Sequence, residues 1–234
     1  MTDQQPMAPA RHVVVVRGVQ QMIASGEIGP GSKLPVESEL AARFDVSRGT
    51  LREGVRALAA MGILETRQGS GTTVTTLEPS LLLEPLVFWV DLQHDNESEH
   101  LPTVRRALEV ESAGAAAERA SKTQVERLRT ILDGAPSAIE AGDHEAAMEV
   151  DLAFHRELAE IAANPILAAL LDALSQPTKR TRLWQSLHRS GRVVAAHQEH
   201  ETIFEAVRAG DSHFARAAMY THITQVLLGA RGLT

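Results

Sequence analysis

Apolar residues in this chain recur mostly at intervals of three and four, the period of a helix with one buried face, and change to strand-like runs in a single short stretch. The first helical run is Arg11 to Ala24, where Val15, Val19, Met22 and Ile23 share a face and Ser25-Gly26 ends it. A loop, Glu27 to Ser32, leads into two short helices. The first, Val36 to Phe44, has Pro35 just ahead of it, carboxylates in its first turn, and Leu40, Ala41 and Phe44 on one side. The second follows Ser47, a good N-cap, and runs from Arg48 to Leu58 with Leu51, Val55 and Leu58 pointing inward. Two β-prone runs, Ile63 to Thr66 and Thr72 to Thr75, flank the basic, glycine-rich turn Arg67-Gln68-Gly69-Ser70-Gly71 and predict a small hairpin.

Beyond residue 76 no strand pattern competes. Ser80 to Val90 is strongly apolar and predicts a helix covered by another domain or subunit, because an exposed patch of that size is a liability in a monomer. A polar loop, Gln93 to His100, follows. Helical segments are then expected at Thr103 to Ala120, Lys122 to Ala141, His144 to Ala163, Pro165 to Leu174, Arg192 to Ala209 and Asp211 to Leu228, with a basic stretch from Lys179 to Arg192. The expected fold class is mostly α. An amino-terminal winged helix-turn-helix of three helices plus a β-hairpin wing spans 11–76, after a disordered tail at 1–10. A linker helix and loop occupy 77–100, and an all-α antiparallel helical bundle fills 101–234.

Charge changes the picture only when it is divided. The whole chain carries a formal net charge of −7, which does not suggest a nucleic-acid binder. Residues 1–76 hold 8 Lys and Arg against 7 Asp and Glu, a net of +1, so the remainder carries −8 and the acidity belongs to the bundle. DNA affinity must then come from where arginines sit and not from bulk charge. Arg48, Arg52 and Arg56 recur at i, i+4 and i+8 and share the outward face of their helix. Such forked donors reach phosphates or the guanine edge, although a solvated charged face is an equal reading until the hairpin is added. The chain has no cysteine, which excludes disulfides and thiolate metal sites and fits a reducing cytoplasm. No apolar run is long enough to span a membrane.

Of ten histidines, most sit in loops or near helix ends, where a solvated imidazole is the default: His12, His94, His100, His144, His188 and His213. Asp151 and His155 differ, standing at i, i+4 on an otherwise apolar helix face. They read either as a hydrogen-bonded structural pair or as ligands of a divalent cation. His200 lies ten residues before Gly210 and His222 eleven after Asp211, so in a helical hairpin turning there the two stand level. Together the four would give a His₃Asp set with open positions. His197, one turn earlier, is an alternative ligand.

The motifs Leu34-Pro35-x-Glu37, Val46-Ser47-Arg48-x-Thr50-x-Arg52, Gly62-Ile63-Leu64 and Gly69-Ser70-Gly71-Thr72-x-Val74 resemble the amino-terminal domain of the GntR family of bacterial transcription regulators. Asp151-x-x-x-His155, the run from Glu199-His200-Glu201 to Gly210-Asp211, and Ala217-Ala218-Met219-x-x-His222 resemble the FCD effector domain of its FadR-like subfamily. The first resemblance implies DNA contacts from Arg48, Gly49, Thr50 and Arg52 on the recognition helix and from Gln68 and Gly69 at the wing tip. Ser38 and Gly49 depart from the usual pattern, which bears on the operator read. The second resemblance implies a metal on Asp151, His155, His200 and His222, zinc first with nickel or another divalent cation as alternatives, helping to hold a carboxylate effector. Val104-Arg105-x-Ala107-Leu108-Glu109 matches that domain's first long helix and makes Arg105 the candidate carboxylate partner; Arg182 and Trp184 are further pocket candidates.

The expected function is that of a cytoplasmic, homodimeric transcription regulator, a repressor in the first instance, on a pseudo-palindromic double-stranded operator. A small organic or sugar acid would tune it. Alternatives are a regulator for which the cation itself is the signal and a metal-dependent enzyme; the latter lacks a clear general base beside the ligands.

Overall fold

The computed structural model describes residues 11–83, 85–88, 100–174 and 192–230. The chain separates into two compact units, Met1–Glu84 and Pro85–Thr234. The tail expected at 1–10, the loop from Gln93 through residue 99 with His94, and the basic stretch from Lys179 with Arg182, Trp184 and His188 lie outside the described residues.

The amino-terminal unit comprises α1 (His12–Ala24), α2 (Glu37–Arg43), α3 (Arg48–Ala60), strands β1 (Leu64–Arg67) and β2 (Gly71–Val74), and α4 (Pro79–Leu82). Val15, Val19, Met22, Leu40, Leu51, Leu58, Leu64 and Val74 close one core. α1 and α3 approach closely because Gly54 carries no side chain: a Cβ there would lie 2.5 Å from that of Val15. Ser47 starts α3 by accepting the Thr50 N–H at 3.1 Å. The strands pair antiparallel with Leu64 opposite Val74 and Arg67 opposite Gly71. Arg67 is thus a strand residue rather than part of the expected turn. Gly69 at φ +79° and Gly71 at φ +90° supply the left-handed conformations that let the chain reverse within Gln68 to Ser70.

Among the described residues, the apolar run from Ser80 is divided: α4 ends at Leu82 and residues 85–88 are helical again, since Pro85 has no N–H for a continuing helix; Trp89 and Val90 lie outside the described residues. Leu77 packs on the amino-terminal core, and a Cβ on Gly62 would meet the Leu81 carbonyl at 2.7 Å, so this segment belongs to the first unit.

The second unit holds α5 (His100–Arg119), α6 (Lys122–Leu132), α7 (Ala135–Glu140), α8 (His144–Ile161), α9 (Pro165–Leu174), α10 (Val193–Ala209) and α11 (Ser212–Ala230). α5 packs against α8, α9, α10 and α11, and its alanine face (Ala113, Ala116, Ala117) lets those helices come close. Ser121 and Gln124 form a capping box at the start of α6. The helix expected from Lys122 to Ala141 is divided: Asp133 and Gly134 end it, and α7 restarts with Pro136 in its first turn, where a missing N–H costs nothing. His100 begins α5 instead of ending a loop. Gly210, at φ +73°, ends α10 in a left-handed cap and turns the chain into α11.

Candidate metal centre and nucleic-acid interface

Three helices of the bundle bring four ligand-type side chains to one point. Asp151 and His155 come from α8, His200 from α10 and His222 from α11, and one ligand atom from each lies within 4.8 Å of all the others. The Nε2 atoms of His200 and His222 are 3.1 Å apart. Asp151 Oδ1 stands 3.4 Å from His200 Nε2 and 3.7 Å from His155 Nε2. The three imidazoles are buried, at 3 %, 4 % and 1 % exposure for His155, His200 and His222, among Phe154, Ile203, Met219 and Ile223. His155 stacks on His222 with ring centres 5.5 Å apart.

The outward nitrogens are held by carboxylates. Glu109 of α5, itself 1 % exposed, lies 2.8 Å from His155 Nδ1. Glu199 of α10 lies 2.9 Å from His222 Nδ1. Each carboxylate is gripped in turn by an arginine: Arg105 donates to Glu109 at 3.1 Å and Arg192 to Glu199 at 2.6 Å. A carboxylate accepting the Nδ1 proton leaves the Nε2 lone pair facing the centre, which selects the ligating tautomer. Burial pushes His200 well below its ordinary 6.5, and His222, His155 and His197 nearby push the same way. Burial also lowers His222, outweighing its bond to Glu199. Burial opposes ionisation of Glu199, but bonds from His222 and Arg192 prevail and hold its carboxyl below 4.5.

These residues fit a divalent cation. With the Nδ1–H groups of His155 and His222 donated to glutamates, the Nε2 lone pairs of both converge with Asp151 Oδ1 and His200 Nε2 on one point. Nitrogens bound at 2.0–2.1 Å to one tetrahedral ion lie about 3.3 Å apart, close to the separations here. His197 stands outside the quartet, with Nε2 3.6 Å from Glu201 and its buried Nδ1 without a hydrogen-bond partner among the described residues. Arg105 has 17 % of its side chain exposed and is occupied by Glu109. His12, His144 and His213 sit at helix starts.

In the amino-terminal unit, Arg48, Gly49, Arg52 and Arg56 are exposed on α3 and Thr50 is half-buried beside its cap. Gln68 and Gly69 form the exposed tip of the hairpin. Arg52 is bound by Glu37 of α2 and Arg67 by Glu65. A three-helix core thus presents an arginine-bearing helix and a basic loop, the parts of a winged helix-turn-helix.

The sequence model of bacterial regulatory proteins of the gntR family matches residues 13–74, and that of the FCD domain matches residues 100–225. The chain belongs to the GntR family of transcription regulators. Its match to the HTH-type transcriptional regulator LutR of Bacillus subtilis is 36 % identical over 209 residues, covering 88 % of this chain and 94 % of LutR. That to the HTH-type transcriptional repressor NanR of Escherichia coli K12 is 31 % identical, covering 91 % of this chain and 81 % of NanR. Among solved structures, a GntR protein of Streptococcus agalactiae superposes with a TM-score of 0.67 at 29 % identity, covering 95 % of this chain and all of that one. E. coli McbR/YncC, at 18 % identity and TM-score 0.50, shares the fold.

This GntR-family chain is a DNA-binding regulator, not an enzyme, with the winged helix-turn-helix in the first match and the four ligand-type residues in the second. No described helix is long and apolar enough to cross a membrane. Sequence reasoning passed over the bracing roles of Glu109, Glu199 and Arg192. The one available signal was a carboxylate four residues after Arg105, since i, i+4 pairs share a face.

Proposed function

We propose that this GntR-family protein is a repressor whose FCD unit holds a divalent cation, zinc before nickel, on Asp151, His155, His200 and His222. A small organic or sugar acid binds beside it. The supporting observation is the buried quartet whose outer nitrogens are already committed to Glu109 and Glu199. A bound cation supplies a positive centre for one carboxylate oxygen of the effector. Arg105 is the candidate for the other, and a ligand carboxylate would compete with Glu109 for its guanidinium. We further propose that two copies form a homodimer and place two reading heads on a pseudo-palindromic operator, with Arg48, Gly49, Thr50, Arg52, Gln68 and Gly69 at the DNA. NanR carries repressor in its name, which supports that sign of regulation here. The effector acts by binding one arrangement of the heads more tightly than another, so that its differential affinity sets operator release.

Elemental analysis and a thermal-shift screen of sugar acids, hydroxy acids and dicarboxylates, with and without chelator, test this reading. The wild type should carry stoichiometric metal and His222→Ala should lose it, together with the acid-induced shift. Full metal in His222→Ala refutes the centre. An acid shift that survives chelation refutes its role in holding the effector.

A further inference from the structure

Arg52 is the central member of the arginine stripe on α3, and it does not hang free. Its Nε donates to both oxygens of Glu37, at 3.1 Å each, and its Nη2 donates to Glu37 Oε2 at 3.0 Å. Glu37 is the first residue of α2 and so lies fifteen positions earlier in the chain, across the helix-turn-helix corner. Both side chains are more than half exposed, at 61 % and 52 %, so the pair adds little to folding stability. What it does is fix the guanidinium plane.

The geometry leaves a defined set of donors. A guanidinium has five N–H bonds, and the side-on edge formed by Nε and Nη2 is the one Glu37 occupies. Among the described residues, three N–H bonds stay open, and two of them, one on Nη1 and one on Nη2, form the end-on edge. That edge is the fork that pairs with O6 and N7 of guanine in the major groove. Glu37 therefore holds Arg52 from the side while leaving its reading edge open. Its negative charge also offsets the general pull of Arg52 on phosphates, which favours every sequence equally.

We propose that Glu37 is a specificity-determining residue: it braces Arg52 for end-on recognition of a guanine and suppresses its use as a loose phosphate contact. The proposal rests on the reading that Arg52 faces DNA. Glu37 itself reaches no base; it acts through the arginine it orients. A free arginine would have to give up its rotamers on binding, a loss that roughly corresponds to a 2- to 10-fold penalty for one immobilised side chain. The braced one has already done so.

The test is selection from a randomised double-stranded DNA library, followed by affinity measurements on the selected duplex, on duplexes substituted at each position, and on unrelated DNA. The full-length wild type, Glu37→Gln and Arg52→Ala are compared, with circular dichroism to verify folding. Glu37→Gln keeps the shape of the side chain and removes its charge. Its preference for guanine at one position per half-site should fall roughly 2- to 10-fold. Its affinity for unrelated DNA should rise, with a steeper dependence on salt. Arg52→Ala should lose the preference at that same position. If Glu37→Gln changes affinity uniformly across all duplexes, or not at all, while Arg52→Ala erases the guanine, the bracing is overturned and the DNA face stands. If Arg52→Ala leaves the selected sequence intact, the placement of Arg52 at DNA fails, and the inference with it.

Discussion

The chemistry of the bundle is settled by which nitrogen of each imidazole carries a proton. Glu109 and Glu199 accept hydrogen bonds from the outer Nδ1–H of His155 and His222, and the Nε2 lone pairs then face Asp151 and His200. Glu109→Gln keeps a hydrogen-bonding oxygen but loses the charge that makes His155 a stronger ligand. Zinc affinity, read by competition with a chromophoric chelator, should fall about 10- to 100-fold; an unchanged affinity would show Glu109 to be a structural partner only. Acid should expose the same group in the metal-free protein. His200 faces His222, His155, His197 and Asp151, and His222 faces His155, Asp151 and Glu199, and burial holds both below their ordinary 6.5. The folded chain therefore binds fewer protons than the unfolded chain as pH drops through that value. Stability then rises with pH across this window and is lost as pH falls below about 6.5. Urea denaturation of chelated protein at pH 7.5, 6.5 and 5.5 should show a falling midpoint, and a flat profile would contradict neutral buried imidazoles.

At the scale of elements, position is decided by close helix approaches and by where helices stop. α10 and α11 form a hairpin about Gly210, and this sets His200 opposite His222. The corner between α2 and α3 sets Glu37 against Arg52. α3 keeps its place only because Gly54 admits Val15 and the His12 carbonyl of α1, which a Cβ would meet at 2.5 and 3.1 Å. Gly54→Ala should therefore destabilise the amino-terminal unit by about 1–3 kcal/mol, the usual range for overpacking, despite alanine's better helix propensity. Denaturant unfolding of the isolated change checks this, and a stabilised variant would show that α1 can shift aside without penalty.

The whole molecule is two units with separate cores, so one melting temperature need not describe it. All four ligand-type residues lie in the second unit. Zinc at a hundredfold excess over its Kd should then stabilise the bundle by about 2.7 kcal/mol and leave the transition of the reading head in place. Scanning calorimetry with and without chelator reads both, and a metal-driven shift in both transitions would mean that the units unfold as one.

The amino-acid pattern alone determined the class of fold. Helical period, a lone alternating stretch with glycines at its turn, and Ser47 ahead of α3 are local signals, because a helix face and a cap are set by residues within a few positions of each other. The same local geometry put Asp151 and His155 on one face and made His200 and His222 equidistant from their turn. The division of the helix at Asp133-Gly134 was less visible, since Leu128, Ile131 and Leu132 continue smoothly towards Ala135 and Ala138. What only the tertiary structure decided were the partners across long separations: Glu109 with His155, Glu199 with His222, Glu37 with Arg52. Periodicity says which way a side chain points along its own helix, but the rotation and offset of the neighbouring helix choose what it meets, and those follow from packing the cores.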